Sequence, residues 1–190
     1  LATAEEDIPA LKEPIINLDA KLKGITNENV HYNFDNFPKA SHYTMAGNAI
    51  PKAIVEIFSV YRPISIFDYN RDLLQTSVSA YDYLVEKYEN IQTLFHIDKK
   101  IRLNDMMAAY NAIEKTGKWE ELHELSKLAD KNYPNTMLGT YFEARYDEET
   151  GNPKKAMRSY QKAYGQESIA FLTIDFMLEK AEKIKQDFGY

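Results

Sequence analysis

Few side chains in this sequence could carry covalent or acid–base chemistry. There is no cysteine among its 190 residues, which removes disulfides, thiol nucleophiles and thiolate metal sites. The four histidines, His31, His42, His96 and His123, show no His-Glu-x-x-His or comparable ligand spacing, so neither a metal nor a cofactor site is expected. His42 is the one in an informative setting. It lies in Phe37-Pro38-Lys39-Ala40-Ser41-His42-Tyr43-Thr44, between an alternating apolar stretch and an amphipathic one. A loop at the carboxyl end of a strand is held by the strand while its side chain stays free, which suits a catalytic group. An imidazole there can take a proton from a serine hydroxyl and return it to a leaving group. A plain surface histidine fits the same pattern.

The elements that must position this loop follow from periodicity. Residues 1–6 read as frayed. A helix is expected from Asp7, acting as its cap, to Leu22, with Pro14 interrupting or restarting it and Gly24 ending it. In residues 29–37, Val30, Tyr32 and Phe34 alternate with His31, Asn33 and Asp35, which predicts a strand with one wet face, closed by Pro38. It is the only convincing strand, and no partner for it is visible. Ile50, Ala53, Ile54, Ile57, Phe58 and Tyr61 then give one broad apolar helix face, stopped by Pro63. Residues 62–76 read as a linker anchored by Ile64, Ile66 and Phe67. Helices are expected over 77–88, 98–116, 119–132, 136–149, 153–164 and 168–188, with Asn135 and Asn152 as caps. The last helix keeps Phe171, Ile174, Leu178, Ala181 and Ile184 on one side, as a terminal cap.

Part of this helical half repeats at an interval of 34 residues. Thr116-Gly117-Lys118 is echoed by Thr150-Gly151-Asn152, Leu122 by Ala156, Ser126 by Tyr160 and Ala129 by Ala163, with Pro134 where the first unit should end. That is the tetratricopeptide pattern of paired antiparallel helices. The match is partial. Met106, Ala109 and Tyr110, and then Thr140, Glu143 and Ala144, stand where the consensus has Trp, Leu and Gly. The fold class expected is therefore mainly α: tetratricopeptide-like helical hairpins over 63–190, preceded by a short α-β-α remnant over 1–62. The 14 tyrosines read either as packing residues between helices or as the lining of a groove. Trp119 reads as an inter-helix packing residue, and Asp147-Glu148-Glu149 as a solvated acidic face.

Residues about 7–168 resemble the C-terminal part of bacterial esterases of the esterase-D-like α/β-hydrolase type. The likeness is carried by Phe37 to Thr44, Ala49-Ile50-Pro51-Lys52-Ala53, Ile57-Phe58 and Tyr61-Arg62-Pro63-Ile64-Ser65, and further on by Asn132-Tyr133-Pro134-Asn135 and Ser159 to Tyr164. The resemblance implies that His42 is the triad histidine, that the helical tail is auxiliary to a catalytic domain, and that the setting is extracytoplasmic. One departure is decisive. None of Ser41, Ser59, Ser65, Ser77, Ser79, Ser126, Ser159 and Ser168 sits in a G-x-S-x-G elbow. In the chain order of these hydrolases the nucleophile and the acid precede the histidine, so both are expected upstream of Leu1. The parent protein is then a carboxylic-ester hydrolase, and this chain alone is catalytically incomplete.

Composition sets the remaining bounds. A formal charge of −6 argues against a nucleic-acid partner. No apolar run approaches the about 20 residues of a membrane span. Two partner readings follow. In one, the helical half docks on its own upstream catalytic domain or on a second copy, with dimerisation expected because the Ile50–Tyr61 face needs cover. In the other, it is a stand-alone tetratricopeptide-like module holding a peptide.

Overall fold

A computed structural model describes residues 1–27, 30–75 and 77–190. The fold is mainly helical with a small two-stranded sheet, and the chain divides into two compact units, Leu1–Tyr61 and Arg62–Tyr190.

The first unit is a β-α-β-α arrangement: β1 (Ala2–Glu6), α1 (Pro9–Leu22), β2 (Asp35–Ser41) and α2 (Ala46–Ile57), with a 3-10 turn at Ser59–Tyr61. The segment expected to fray is thus a strand, and it is the partner that β2 lacked in the sequence reading. The two strands run parallel, and Ala2, Thr3 and Ala4 lie opposite Asp35, Asn36 and Phe37. The alternating residues 30–34 are not strand: the ladder pairs Ala2 with Asp35, and the Leu1 amino group bonds the Asn33 carbonyl at 2.7 Å. Asn29, the first residue of the expected strand, lies outside the described residues.

Pro38 does not close β2. Beyond it the register shifts, so that Glu6 pairs with Ser41 where continuous pairing from Ala4 and Phe37 would set it against Lys39. Pro38 and Lys39 are the two extra residues, and Lys39 takes a left-handed φ of 59°. A bulge is where a sheet tolerates proline, and it re-aims the residues that follow. Helix α1 starts at Pro9 and continues through Pro14, with Ile8 rather than Asp7 at its N-cap. On α2, Ile50, Ile54, Val55 and Ile57 are exposed, and the helix buries no residue.

The second unit carries nearly all of the core. Residues 62–75 form more structure than a linker, and Thr76, the last residue of the expected linker, lies outside the described residues. Ser65 and Asp68 form a capping box at α3 (Ile66–Asp68), which runs into a π turn at Tyr69–Leu73. Of the expected anchors Ile66 and Phe67 are exposed and Ile64 is half-buried, while Asp68 and Leu73 are buried. Then follow α4 (Ala80–Phe95), α5 (Leu103–Thr116), α6 (Glu121–Asn132), α7 (Met137–Glu149), α8 (Pro153–Lys162) and α9 (Ile174–Phe188). Helix α5 begins later than expected because residues before it bond elsewhere: the Ile101 amide donates to Asn132 and the Arg102 amide to the Tyr88 hydroxyl. Thr136, not Asn135, caps α7, and α9 starts later than the expected residue 168, capped by Thr173. Phe171 precedes α9, whose buried side is Met177, Ala181 and Ile184.

The 34-residue period is visible in space. Leu103 and Met137 open α5 and α7, and Gly117 and Gly151 turn the chain at φ 69° and 83°, a conformation glycine adopts without strain. Tyr110 stacks on Phe142 at 5.0 Å and shares a 2.8 Å hydrogen bond with the buried Tyr141 hydroxyl. These tyrosines, with Tyr88 and Tyr160, pack their rings while each hydroxyl finds a partner. The acidic run 147–149 is not a solvated face. Asp147 is buried against Lys155 at 2.9 Å, and Glu148 and Glu149 each lie 2.7 Å from Arg145, which Glu114 also holds. The Arg145 guanidinium stands 6.0 Å from the Trp119 ring.

Candidate functional site

The site is assembled by the ends of the two strands. The shifted pairing sets residue 42 level with residue 7, and the two side chains meet. His42 Nδ1 lies 2.8 Å from Asp7 Oδ1. A carboxylate beside His42 is thus present inside this chain. Asp7 was expected to cap α1. Instead it turns back toward the sheet, because strand β1 stops just before it and α1 starts just after it.

Asp7 is held as an anion. Its side chain is 1% exposed. Oδ2 accepts from the Thr3 hydroxyl at 2.9 Å and from the Ala4 amide at 3.4 Å, while Oδ1 accepts from the Ile8 amide at 2.8 Å as well as from His42. Four donors meet the roughly four acceptor positions of a carboxylate. Burial pushes the carboxyl up, but the bonds from Thr3, His42 and the Ile8 and Ala4 amides outweigh it and hold the group below the ordinary carboxylate range.

An ionised carboxylate can only accept, so Nδ1 of His42 is the protonated nitrogen. Nε2 then carries the lone pair, and it makes no hydrogen bond among the described residues. The imidazole is 35% exposed. Its loop is pinned on both sides: the Ser41 amide donates to Thr44 Oγ1 at 2.9 Å, and the Met45 amide to the Ser41 carbonyl at 3.0 Å. The largely exposed Tyr43 ring meets the imidazole edge-on at 5.5 Å. This is the arrangement of a base whose orientation and tautomer are set by a buried acid.

The other histidines take no part. His96 ends α4 in a left-handed conformation, and His123 bonds Glu143 at 2.7 Å in the second unit. No group of three or more metal-ligating side chains occurs among the described residues. The sequence reading missed Asp7. The available signal was a carboxylate directly after β1 and just before the proline-started α1; His42 likewise directly follows β2.

No protein-family model matches this sequence, and no curated protein does. Among solved structures it is similar to an uncharacterised protein from Capnocytophaga ochracea. The TM-score is 0.85 at 30% sequence identity, over 97% of this chain and 52% of that one. The chain thus spans about half the length of the protein it matches, and the likeness places the fold.

Proposed function

We propose that Leu1–Tyr61 carries the acid and the base of a serine-hydrolase triad, Asp7 and His42, and that this chain is the C-terminal part of an esterase-like hydrolase. The observation that carries the reading is the 2.8 Å bond from His42 Nδ1 to a buried Asp7, with Nε2 making no hydrogen bond among the described residues. The order acid, then histidine, along successive parallel strands agrees with it. His42 acts as general base toward a serine hydroxyl and as general acid toward the leaving alcohol, and Asp7 stabilises the imidazolium formed between the two steps. The serine is assigned to a segment outside these residues, since no G-x-S-x-G occurs here. The helical unit serves such an enzyme as a docking or oligomerisation module.

The test is ester hydrolysis by a polypeptide that joins this chain to a nucleophile-bearing segment. His42→Ala and Asp7→Asn are each expected to lower kcat by about 10⁴-fold with the fold intact. Undiminished turnover in either variant overturns the assignment. Robust turnover by the 190-residue chain alone, lost in His42→Ala, overturns the claim that the nucleophile lies elsewhere.

A second reading takes Arg62–Tyr190 as a tetratricopeptide-like module that binds a peptide. It is favoured by the two hairpins repeating at 34 residues and by the further helix α9 that follows them. Saturable binding of a displayed peptide, measured by titration, supports it. Failure to select any peptide from a display library discards it.

A further inference from the structure

We propose that Thr3 is a positioning residue for the acid–base pair: its buried hydroxyl fixes the Asp7 carboxylate so that Oδ1 faces His42. The inference rests on the triad reading above and adds a residue to it.

Thr3 is fully buried in the middle of β1, a position where a hydroxyl without a partner would carry a desolvation cost. Its hydroxyl donates to Asp7 Oδ2 at 2.9 Å, and the spacing of four residues lets the strand reach the turn that follows it. The two carboxylate oxygens are held differently. Oδ1 has the Ile8 amide and His42, both at 2.8 Å. Oδ2 has Thr3 and, more distantly, the Ala4 amide at 3.4 Å. Without the hydroxyl, Oδ2 keeps only that long bond, and the carboxylate is free to rotate about its Cβ–Cγ axis. A rotated carboxylate no longer presents Oδ1 to Nδ1. The imidazole then loses the contact that sets its tautomer. Apart from His42 the other donors are backbone amides, removable only by a proline that would also alter the chain, so Thr3 is the side chain through which this orientation can be altered. Its hydroxyl bonds Asp7 and not the imidazole, so it acts through Asp7.

The experiment is a ¹H–¹⁵N spectrum of the imidazoles of the full chain, with His42 assigned by the signals missing in His42→Gln. In the parent chain His42 is expected to show a protonated Nδ1 and an unprotonated Nε2. Thr3→Val, which keeps the shape, is expected to lose that signature and give the mixed tautomers of a free imidazole. Thr3→Ser, which keeps the hydroxyl, is expected to retain it. A Thr3→Val chain with the unchanged signature overturns the role of Thr3 and leaves the pair standing. A Thr3→Ser chain that loses the signature as fully as Thr3→Val shows that the methyl group, not the hydroxyl, matters, and also overturns it. A parent chain whose His42 shows no preference for the Nδ1 proton overturns the acid–base pair itself.

Discussion

The two units of this protein are held together by different means. In Leu1–Tyr61 the buried apolar residues are Ala4 and Ala40, and the other buried side chains are Thr3, Asp7 and Asp19. In Arg62–Tyr190 large side chains such as Leu84, Ile113, Leu125, Phe142 and Tyr160 are wholly enclosed. The first unit has assembled a polar pair on a frame with little apolar burial of its own, while both of its helices expose leucine, isoleucine or valine. Parallel strands are ordinarily covered on both faces. The second unit builds its own core and spends its polar groups on locking helices together. The His42–Asp7 pair and the large apolar core therefore lie in different parts of the chain.

The contrast can be broken most directly in the core of the second unit. Phe142→Ala removes a fully buried ring stacked on Tyr110, and a loss of about 3–5 kcal/mol is expected in chemical denaturation. If the loss stays below about 1 kcal/mol, the second unit does not depend on this core as described.

Gly139 is the next test. A Cβ built there would lie 2.0 Å from an Asp130 carboxylate oxygen, which can swing away, and 2.8 Å from the Ser126 carbonyl, which cannot. Gly139→Ala should force α6 and α7 apart, costing about 1–3 kcal/mol despite alanine's better helix propensity. A thermal midpoint equal to or above that of the parent would show that the two helices can separate freely.

The pH responses should diverge. The Asp7 carboxyl lies lower when folded than unfolded, so its contribution is present above the unfolded value of about 3.9 and is lost as pH falls through the folded one. Burial, chiefly, raises the hydroxyls of Tyr110, Tyr141 and Tyr160. Above about pH 10 the unfolded chain sheds these protons more readily than the folded one, so the second unit loses stability as pH rises. Hydrogen exchange of the two units across acid and alkaline pH separates the effects. Amides around Asp7 that stay as protected at low pH as at neutrality would contradict the acid arm. Helices equally protected on both sides of pH 10 would contradict the alkaline one.

The smallest effect expected is at Lys39. Its left-handed φ strains any side chain with a Cβ, so Lys39→Gly should stabilise the first unit by up to about 1 kcal/mol and leave the His42 ring signals unmoved. Displaced ring signals would mean that the lysine side chain, not the bulge backbone, aims the histidine loop.

Several features were legible in the residue order alone. Helix faces at 3.6-residue spacing, the 34-residue echo and the turn glycines Gly117 and Gly151 depend on neighbours close in sequence, and these set the helical second unit. The placing of His42 between a strand and a helix was also readable, from a strand-like stretch running into a proline and then an amphipathic helix. Long-range pairing was not. Strand β1 is five residues with no strict alternation, and it becomes a strand only because β2, more than thirty positions later, offers it hydrogen bonds. For the same reason Asp7 looked like a helix cap: its local neighbours suit that role, and its true partner is 35 residues away. The solvated reading of residues 147–149 failed likewise, since Lys155 and Arg145 come to those carboxylates through helix packing and rotamer choice. Local order thus determined which segments are helical and that His42 sits between a strand and a helix. Only the folded chain decided which carboxylate that histidine meets, because the two-residue shift in strand register is a property of the pair of strands and not of either one.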